Sequence, residues 1–271
     1  MTTDLLLLTN KVNVSANHCL TILLGTQCLS GSLHEKDTNE VTAVFSQDFH
    51  PSIGVVDQLR EIISALKLDA NPELQVVATS KNYQLIPQSL FVMEAIDQYL
   101  DLSENRSEIE PHYHTIAHQD LYVVYGIDTY LKKALGQQFL VSKWTHISKV
   151  LLEQFQQHPS SSLEILFAHL EKGQLFIYVF NQGKIKFYNQ FEIASPSDFL
   201  YYLLGTCESQ SIQNTSIKIM LSGDFKLDDE YHVMAYNYFE KVQLFGNSTH
   251  LKGALGDSDT HRFALISSPN L

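Results

Sequence analysis

The sequence is poor in what several common site types require. Cysteine occurs three times in 271 residues, at 19, 28 and 207. The number is odd and no C-x-x-C spacing occurs, which argues against a disulfide framework or a zinc ribbon and for a reducing, cytoplasmic setting. Positive charge is scarce: 18 Lys and Arg face 30 Asp and Glu, a formal charge of −12. Binding along a phosphate backbone draws on clustered Lys and Arg, so nucleic acid is not an expected partner. An anionic membrane surface is disfavoured for the same reason. Long apolar runs are missing too. Leu5–Leu8 follows Asp4 without a basic stretch and is far too short for a signal peptide or a span, so direct membrane insertion is not expected. Ser142, Ser148 and the other serines lack a G-x-S-x-G elbow, which leaves a hydrolase reading without support.

What is present is a folding signal. Apolar residues make up 44% of the chain and charged residues 18%, enough for real cores. The length suits two ordinary domains or one large one. The clearest stretch is Leu163–Thr206. Leu163, Ile165, Phe167 and His169 alternate with Glu164, Leu166, Ala168 and Leu170. Glu171-Lys172-Gly173 then leads into the β-rich run Gln174–Phe180, and Asn181-Gln182-Gly183 turns into Lys184–Phe191. Glycine supplies the φ > 0 that tight hairpins need. Ser195-Pro196-Ser197-Asp198 offers a cap, a proline at the first turn and an acid, and Phe199, Tyr202, Leu203 and Cys207 follow at helical spacing. The stretch predicts a three-strand meander feeding a helix.

The first half repeats that order. Asn17–Leu24, Cys28–Glu35 (weakened by Gly31) and a run with Val41, Ala43 and Phe45 alternating read as strands. Residues 1–14 read as a loose leader or an edge strand. Pro51-Ser52 opens a helix with Leu59, Ile62, Ile63 and Leu66 on one face, and Leu74–Ala78 suits a buried strand. In the second half Ser216–Leu221 is the matching strand. Two strand-strand-strand-helix-strand units thus start about 145 residues apart, an internal duplication of element order. Between them the pattern predicts an extended Tyr83–Pro87, a helix over Phe91–Leu100, a surface loop at Ser103–Pro111 and a strand at Leu121–Tyr125. A helix capped by Asp128 and ended by Gly136, a strand Phe139–Thr145 and a helix Ile147–Gln156 follow. After Leu221 the expectations are a helix Tyr231–Glu240, a strand Val242–Phe245, a mobile loop Gly246–Thr260 and a strand near His261–Ile266. His158–Ser162, short, polar and broken by Pro159, is the expected domain boundary, dividing 1–160, a half with an inserted α/β segment, from 161–271.

This order resembles the duplicated ribonuclease-H-like halves of the actin and hexokinase superfamily. In detail Tyr83–Pro87 with Leu90-Phe91, Leu121–Ile127, Val179–Lys184, Asp198–Leu204 and Leu221–Asp224 look like an uncharacterised bacterial family, known only as a domain of unknown function and described as having an actin-like ATPase fold. The resemblance spans nearly the whole chain. It implies an α/β fold of two βββαβα halves with mixed sheets. It supplies no activity.

The superfamily resemblance does imply where a site would lie. Active members hold ATP in a cleft, with Asp-x-Gly-Ser/Thr on the first hairpin of each half: the carboxylate directs Mg²⁺ while backbone N–H groups and the hydroxyl hold phosphates. Here the turns read Leu24-Gly25-Thr26-Gln27 and Leu170-Glu171-Lys172-Gly173-Gln174. Gly25 and Thr26 occur without the acid, and Glu171 and Gly173 without the hydroxyl. Ser222 and Gly223 stand where the superfamily has its Gly-rich adenosine contact, although a strand-to-loop turn explains that glycine more simply. These six are the candidate cofactor-binding residues. No catalytic or metal-ligating residue is assigned, and ATP with Mg²⁺ is not an expected cofactor. His112, His114 and His118 could hold Zn²⁺, but packing is the favoured reading. Cys19 and Cys28 read as small buried apolar residues, and Phe176, Tyr178, Phe180, Phe187, Tyr188 and Phe191 as core rather than a stacking platform. The sequence therefore points to a catalytically inert interaction or scaffold module whose partner is another protein or a second copy. By analogy, cytoplasmic platform proteins of pilus and secretion machines belong to this superfamily. A nucleotide-binding switch, or a diverged ATPase or sugar kinase, is the alternative.

Overall fold

The computed structural model describes residues 4–7, 17–38, 40–50, 52–100, 108–116, 118–156, 164–246, 260–263 and 265–266. They divide into two units between Glu153 and Gln154. The expected linker His158–Ser162 and residues 247–259 of the expected mobile loop lie outside the described residues.

The first unit opens with β1 (Asp4–Leu7), β2 (His18–Leu24), β3 (Cys28–Glu35), β4 (Glu40–Asp48), α1 (Val55–Leu66) and β5 (Glu73–Ala78). An insertion follows: β6 (Tyr83–Pro87), two 3₁₀ segments (Gln88–Leu90 and Met93–Leu100), β7 (Ile109–Ile116) and β8 (Leu121–Asp128). Then come α2 (Thr129–Gln138), β9 (Val141–His146) and α3 (Ile147–Gln156), within which the division falls. The main sheet runs β1-β4-β3-β2-β5-β9, and the insertion forms its own sheet, β6-β8-β7. β2, β3 and β4 pair antiparallel, while β2, β5 and β9 run parallel, so the sheet is mixed. β1 pairs antiparallel with β4 at the edge.

One face of this sheet is the core. Leu20, Ile22, Leu29, Leu33 and Phe45 meet Leu59, Ile62, Ile63 and Leu66 of α1 and Leu135 of α2. Each such side chain contributes roughly 1.5–3 kcal/mol through burial. Gly31 makes room there: a Cβ would stand 2.4 Å from the ring of Phe45, which is fully buried.

The second unit contains β10 (Ile165–Glu171), β11 (Gln174–Asn181), β12 (Lys184–Glu192), α4 (Pro196–Ser209), β13 (Lys218–Gly223), α5 (Glu230–Tyr238), β14 (Lys241–Leu244) and a short α6 (Thr260–Phe263). Its sheet order is β12-β11-β10-β13-β14, and β10, β13 and β14 run parallel. Counted from its own meander, each unit has the order third-second-first-fourth-fifth. The duplication is therefore one of topology as well as of element order. Gln182 and Gly183 both take positive φ, 51° and 74°, which suits the two-residue turn joining β11 to β12. Ser195 caps α4, accepting from Asp198 N at 3.2 Å, while the Asp198 carboxylate accepts from Ser195 N at 3.0 Å. These bonds satisfy donors at the start of the helix.

β10 and β11 are buried on both faces. Leu166, Ala168, Leu175 and Ile177 pack against Phe199, Leu203 and Cys207 of α4 and Ala235 of α5. On the other face Phe155 stacks on Phe167 at 3.9 Å. Phe176, Tyr178 and Phe180 are buried there as well.

Several expected elements differ. α1 starts at Val55, after Gly54 in extended backbone, rather than at Pro51-Ser52. Met93–Leu100 is 3₁₀ rather than α; a three-residue period sets Ile96 and Tyr99 in line against Ile86, Leu100 and Val124. Ile109–Pro111 belong to β7, paired with Gly126–Asp128, rather than to a loop. α2 continues through Gly136 to Gln138, because nothing crowds that glycine and the helix bonds carry on past it. The segment at His261 is helical rather than the expected strand. His261 Nε2 donates to Phe225 O at 2.8 Å, and a side-chain bond does not extend a sheet.

Candidate functional site

In open α/β sheets, ligands bind outside the carboxyl ends of the parallel strands. At those ends of β2 and β5 in the first unit lies a cavity of about 650 Å³. Gly25 and Thr26 form part of its rim, with Thr79, Ser80, Lys81 and Asn82 after β5 and Asp128 at the start of α2. Gly25 N donates to Cys28 O at 3.0 Å, closing the hairpin, and the tip residues Thr26 and Gln27 are exposed. Thr79 Oγ1 donates to Leu24 O at 2.9 Å, tying the loop after β5 to the end of β2. Asn82 N donates to Ser80 Oγ at 3.1 Å, and Gly126 N donates to Asn82 O at 2.9 Å. The Asp128 carboxylate accepts from Leu131 N at 2.7 Å, as the cap of α2. The rim thus offers hydroxyls, an amide, one ammonium and one carboxylate. That chemistry suits a small polar ligand held by hydrogen bonds. The hairpin itself carries no acid.

In the second unit four expected residues fall at neighbouring strand ends. Leu170 pairs with Gly223 in the parallel β10–β13 register, and His169 with Ser222. Asp224 N donates to Leu170 O at 2.7 Å. Gly223 takes φ +102°, and a Cβ there would stand 1.9 Å from Leu170 O, so close backbone approach accounts for this glycine. Ser222 Oγ lies 2.9 Å from His169 Nδ1. The Glu171 carboxylate is buried, 3.7 Å from His169 Nε2. Gly173 takes φ +73° in the turn. Glu171 therefore sits in a buried polar cluster with His169 and Ser222.

The three histidines do not converge. His112 and His114 share a face of β7, two residues apart. His112 Nε2 lies 3.2 Å from Glu110 Oε1 and 3.1 Å from Lys132 Nζ, and burial together with that ammonium holds its pKa below the usual histidine value. His114 Nε2 lies 3.0 Å from Tyr125 Oη and 2.9 Å from Trp144 O; burial lowers its pKa as well. His118 is exposed on the turn before β8, at φ 68°. Among the described residues no group of three His, Cys, Asp or Glu side chains is placed to hold a metal ion. Burial pushes the Cys19 and Cys207 thiols up to about 11, so neither is a thiolate nucleophile near neutral pH. Cys28 is buried in β3.

The residues that sequence reasoning missed are Thr79–Asn82 and Asp128. Their signal was positional: four polar residues directly follow a buried strand, and the site rule points to that strand end.

No curated protein matches the chain. A Bacteroides thetaiotaomicron protein with an actin-like ATPase fold and unknown function superposes with TM-score 0.77 at 17% identity, covering 97% of this chain and 100% of the other. The type IV pilus biogenesis complex PilM–PilN gives TM-score 0.62 at 10% identity, covering 92% and 96%. The ethanolamine utilization protein EutJ from Carboxydothermus hydrogenoformans gives 0.51 at 10%, covering 95% and 93%. These likenesses agree with the two repeated mixed sheets, and the fold is the actin-like ATPase fold. No described helix is long and apolar enough to cross a membrane. A family model matches residues 8–242, and the chain belongs to that family, described as Protein of unknown function (DUF3822).

Proposed function

We propose that the chain is an interaction or scaffold protein that does not turn over ATP, working in the cytoplasm. One observation carries this reading. The only acid on either candidate phosphate turn, Glu171, is buried beside His169, and the other turn presents Thr26 and Gln27. Phosphoryl transfer rests on positioning and on metal-assisted charge neutralisation, so two turns without an outward carboxylate leave little to drive it. The PilM–PilN complex, a protein assembly, lends support by analogy of fold. The three cysteines are buried and none is in a disulfide, which suits a reducing compartment. Phosphate release from ATP by the full chain with Mg²⁺ tests the reading. Release stays at background under this proposal, and release that falls on Thr26→Ala would replace it.

The cavity favours a second reading, a nucleotide-binding switch without fast turnover. Its rim brings Thr26, Ser80, Lys81 and Asn82 together at strand ends. Saturable ATP binding without phosphate release selects this alternative.

A further inference from the structure

The insertion of the first unit carries an apolar apex. Leu90, Val92 and Met93 stand 66%, 50% and 45% exposed. Single exposed apolar side chains are ordinary, but three within four residues form a patch. The apex is held from below. Tyr99 Oη donates to Leu90 O at 2.9 Å and accepts from Val92 N at 2.8 Å. Phe91 turns inward and stacks on Tyr122 at 4.2 Å, with Tyr113 at 5.2 Å. Gln88 N donates to Asp120 O at 2.9 Å, fixing the start of the apex to the β7–β8 turn. A 3₁₀ run of eight residues is longer than usual. The outward side chains are thus presented in a set geometry, which lowers the ordering cost of docking.

Charge narrows the partner. Among the described residues of Tyr83–Asp128 there are six Asp and Glu and no Lys or Arg, and of these Glu110 is paired with Lys132 of α2. Glu94 and Asp97 are exposed on the 3₁₀ segment itself, three apart and so on one line. We propose that this apex docks a segment of a partner protein that combines apolar side chains with Lys or Arg, such as a basic amphipathic helix. A second copy of this chain would bring the same acidic surface against it, a like-charge meeting that disfavours self-association here. The proposal rests on the interaction reading above.

The test titrates a fluorescently labelled synthetic helix of leucine and lysine with the full chain, read by anisotropy. Saturable binding is expected. Leu90→Ser combined with Met93→Ser weakens it about tenfold or more, as does Glu94→Lys combined with Asp97→Lys. All four side chains are exposed, and an unchanged circular dichroism spectrum confirms folding. Equal binding by wild type and variants overturns the proposal, as does equal binding of a leucine–glutamate helix. Sedimentation showing a dimer that the Leu90/Met93 variant dissolves overturns it too, by assigning the surface to a second copy. Calorimetry and phosphate release with ATP on the same samples keep the two readings apart. A failed peptide titration with no ATP binding removes the apex alone, whereas ATP turnover removes the reading of an inert scaffold.

Discussion

The Glu171 carboxylate stands 3.7 Å from His169 Nε2, with 7% of its side chain exposed. His169 reaches Ser222 through its other nitrogen, at 2.9 Å. A carboxylate placed this way is part of the structure. Glu171→Ala is expected to destabilise the protein by roughly 1–3 kcal/mol, because it leaves buried polar neighbours less well paired. Urea unfolding checks this. A rise in stability on adding Mg²⁺ that Glu171→Ala abolishes would instead mark a metal-directing acid.

Two glycines respond in opposite directions. Gly223→Ala forces a Cβ to 1.9 Å from Leu170 O at φ +102° and is expected to cost roughly 3 kcal/mol or more. A Cβ at Gly136, in α2, would meet nothing within 4 Å, and Gly136→Ala is expected to stabilise by about 0.5–1 kcal/mol. Paired thermal or urea melts measure both.

Acid weakens the first unit through His146. Burial holds this ring neutral and lowers its pKa from 6.5 to about 4, while Nε2 donates to Ser80 O at 2.9 Å. The unfolded chain takes up a proton below pH 6.5 that the folded one refuses. The stabilisation is therefore complete above about 6.5 and is lost as pH falls towards 4, a contribution on the order of 3 kcal/mol. The half-buried ring of His114, its pKa also lowered by burial, acts in the same direction. Unfolding free energies between pH 7 and pH 4 should fall more steeply for wild type than for His146→Gln.

The thiols are expected to be silent in the native state. With Cys19 and Cys207 at about 11, roughly a thousandth of either is thiolate at pH 8. A thiol reagent should titrate all three cysteines only after unfolding. Fast labelling of Cys19 in the folded chain would contradict the placement.

Much of the fold was legible because local chemistry and tertiary contacts agree. Cys28–Glu35 and Ile147–Gln156 are read to the residue, and the hairpin at Gln182-Gly183 follows from turn chemistry. Where tertiary contacts decide, the pattern misleads. The apolar spacing over 93–100 suits α or 3₁₀ winding, and the pairing of Tyr99 Oη with Leu90 and Val92 is invisible in sequence. Gly136 looks like a helix end, yet an uncrowded glycine costs a helix only about 1 kcal/mol and α2 carries it. The turns at Gly25-Thr26 and Ser222-Gly223 were legible from strand ends. Thr79–Asn82 carried only the positional signal of a polar run after a buried strand, and Asp128 read only as a cap, since a polar loop and a cap acquire a shared cavity only once β2, β5 and β8 are in place.

The most direct test of the central claim is calorimetry of the full chain with ATP and Mg²⁺. No saturable heat at micromolar ATP is the expected result. Saturable binding in that range, weakened by Thr26→Ala, would contradict the account and make the cavity beside Gly25 and Thr26 a nucleotide site.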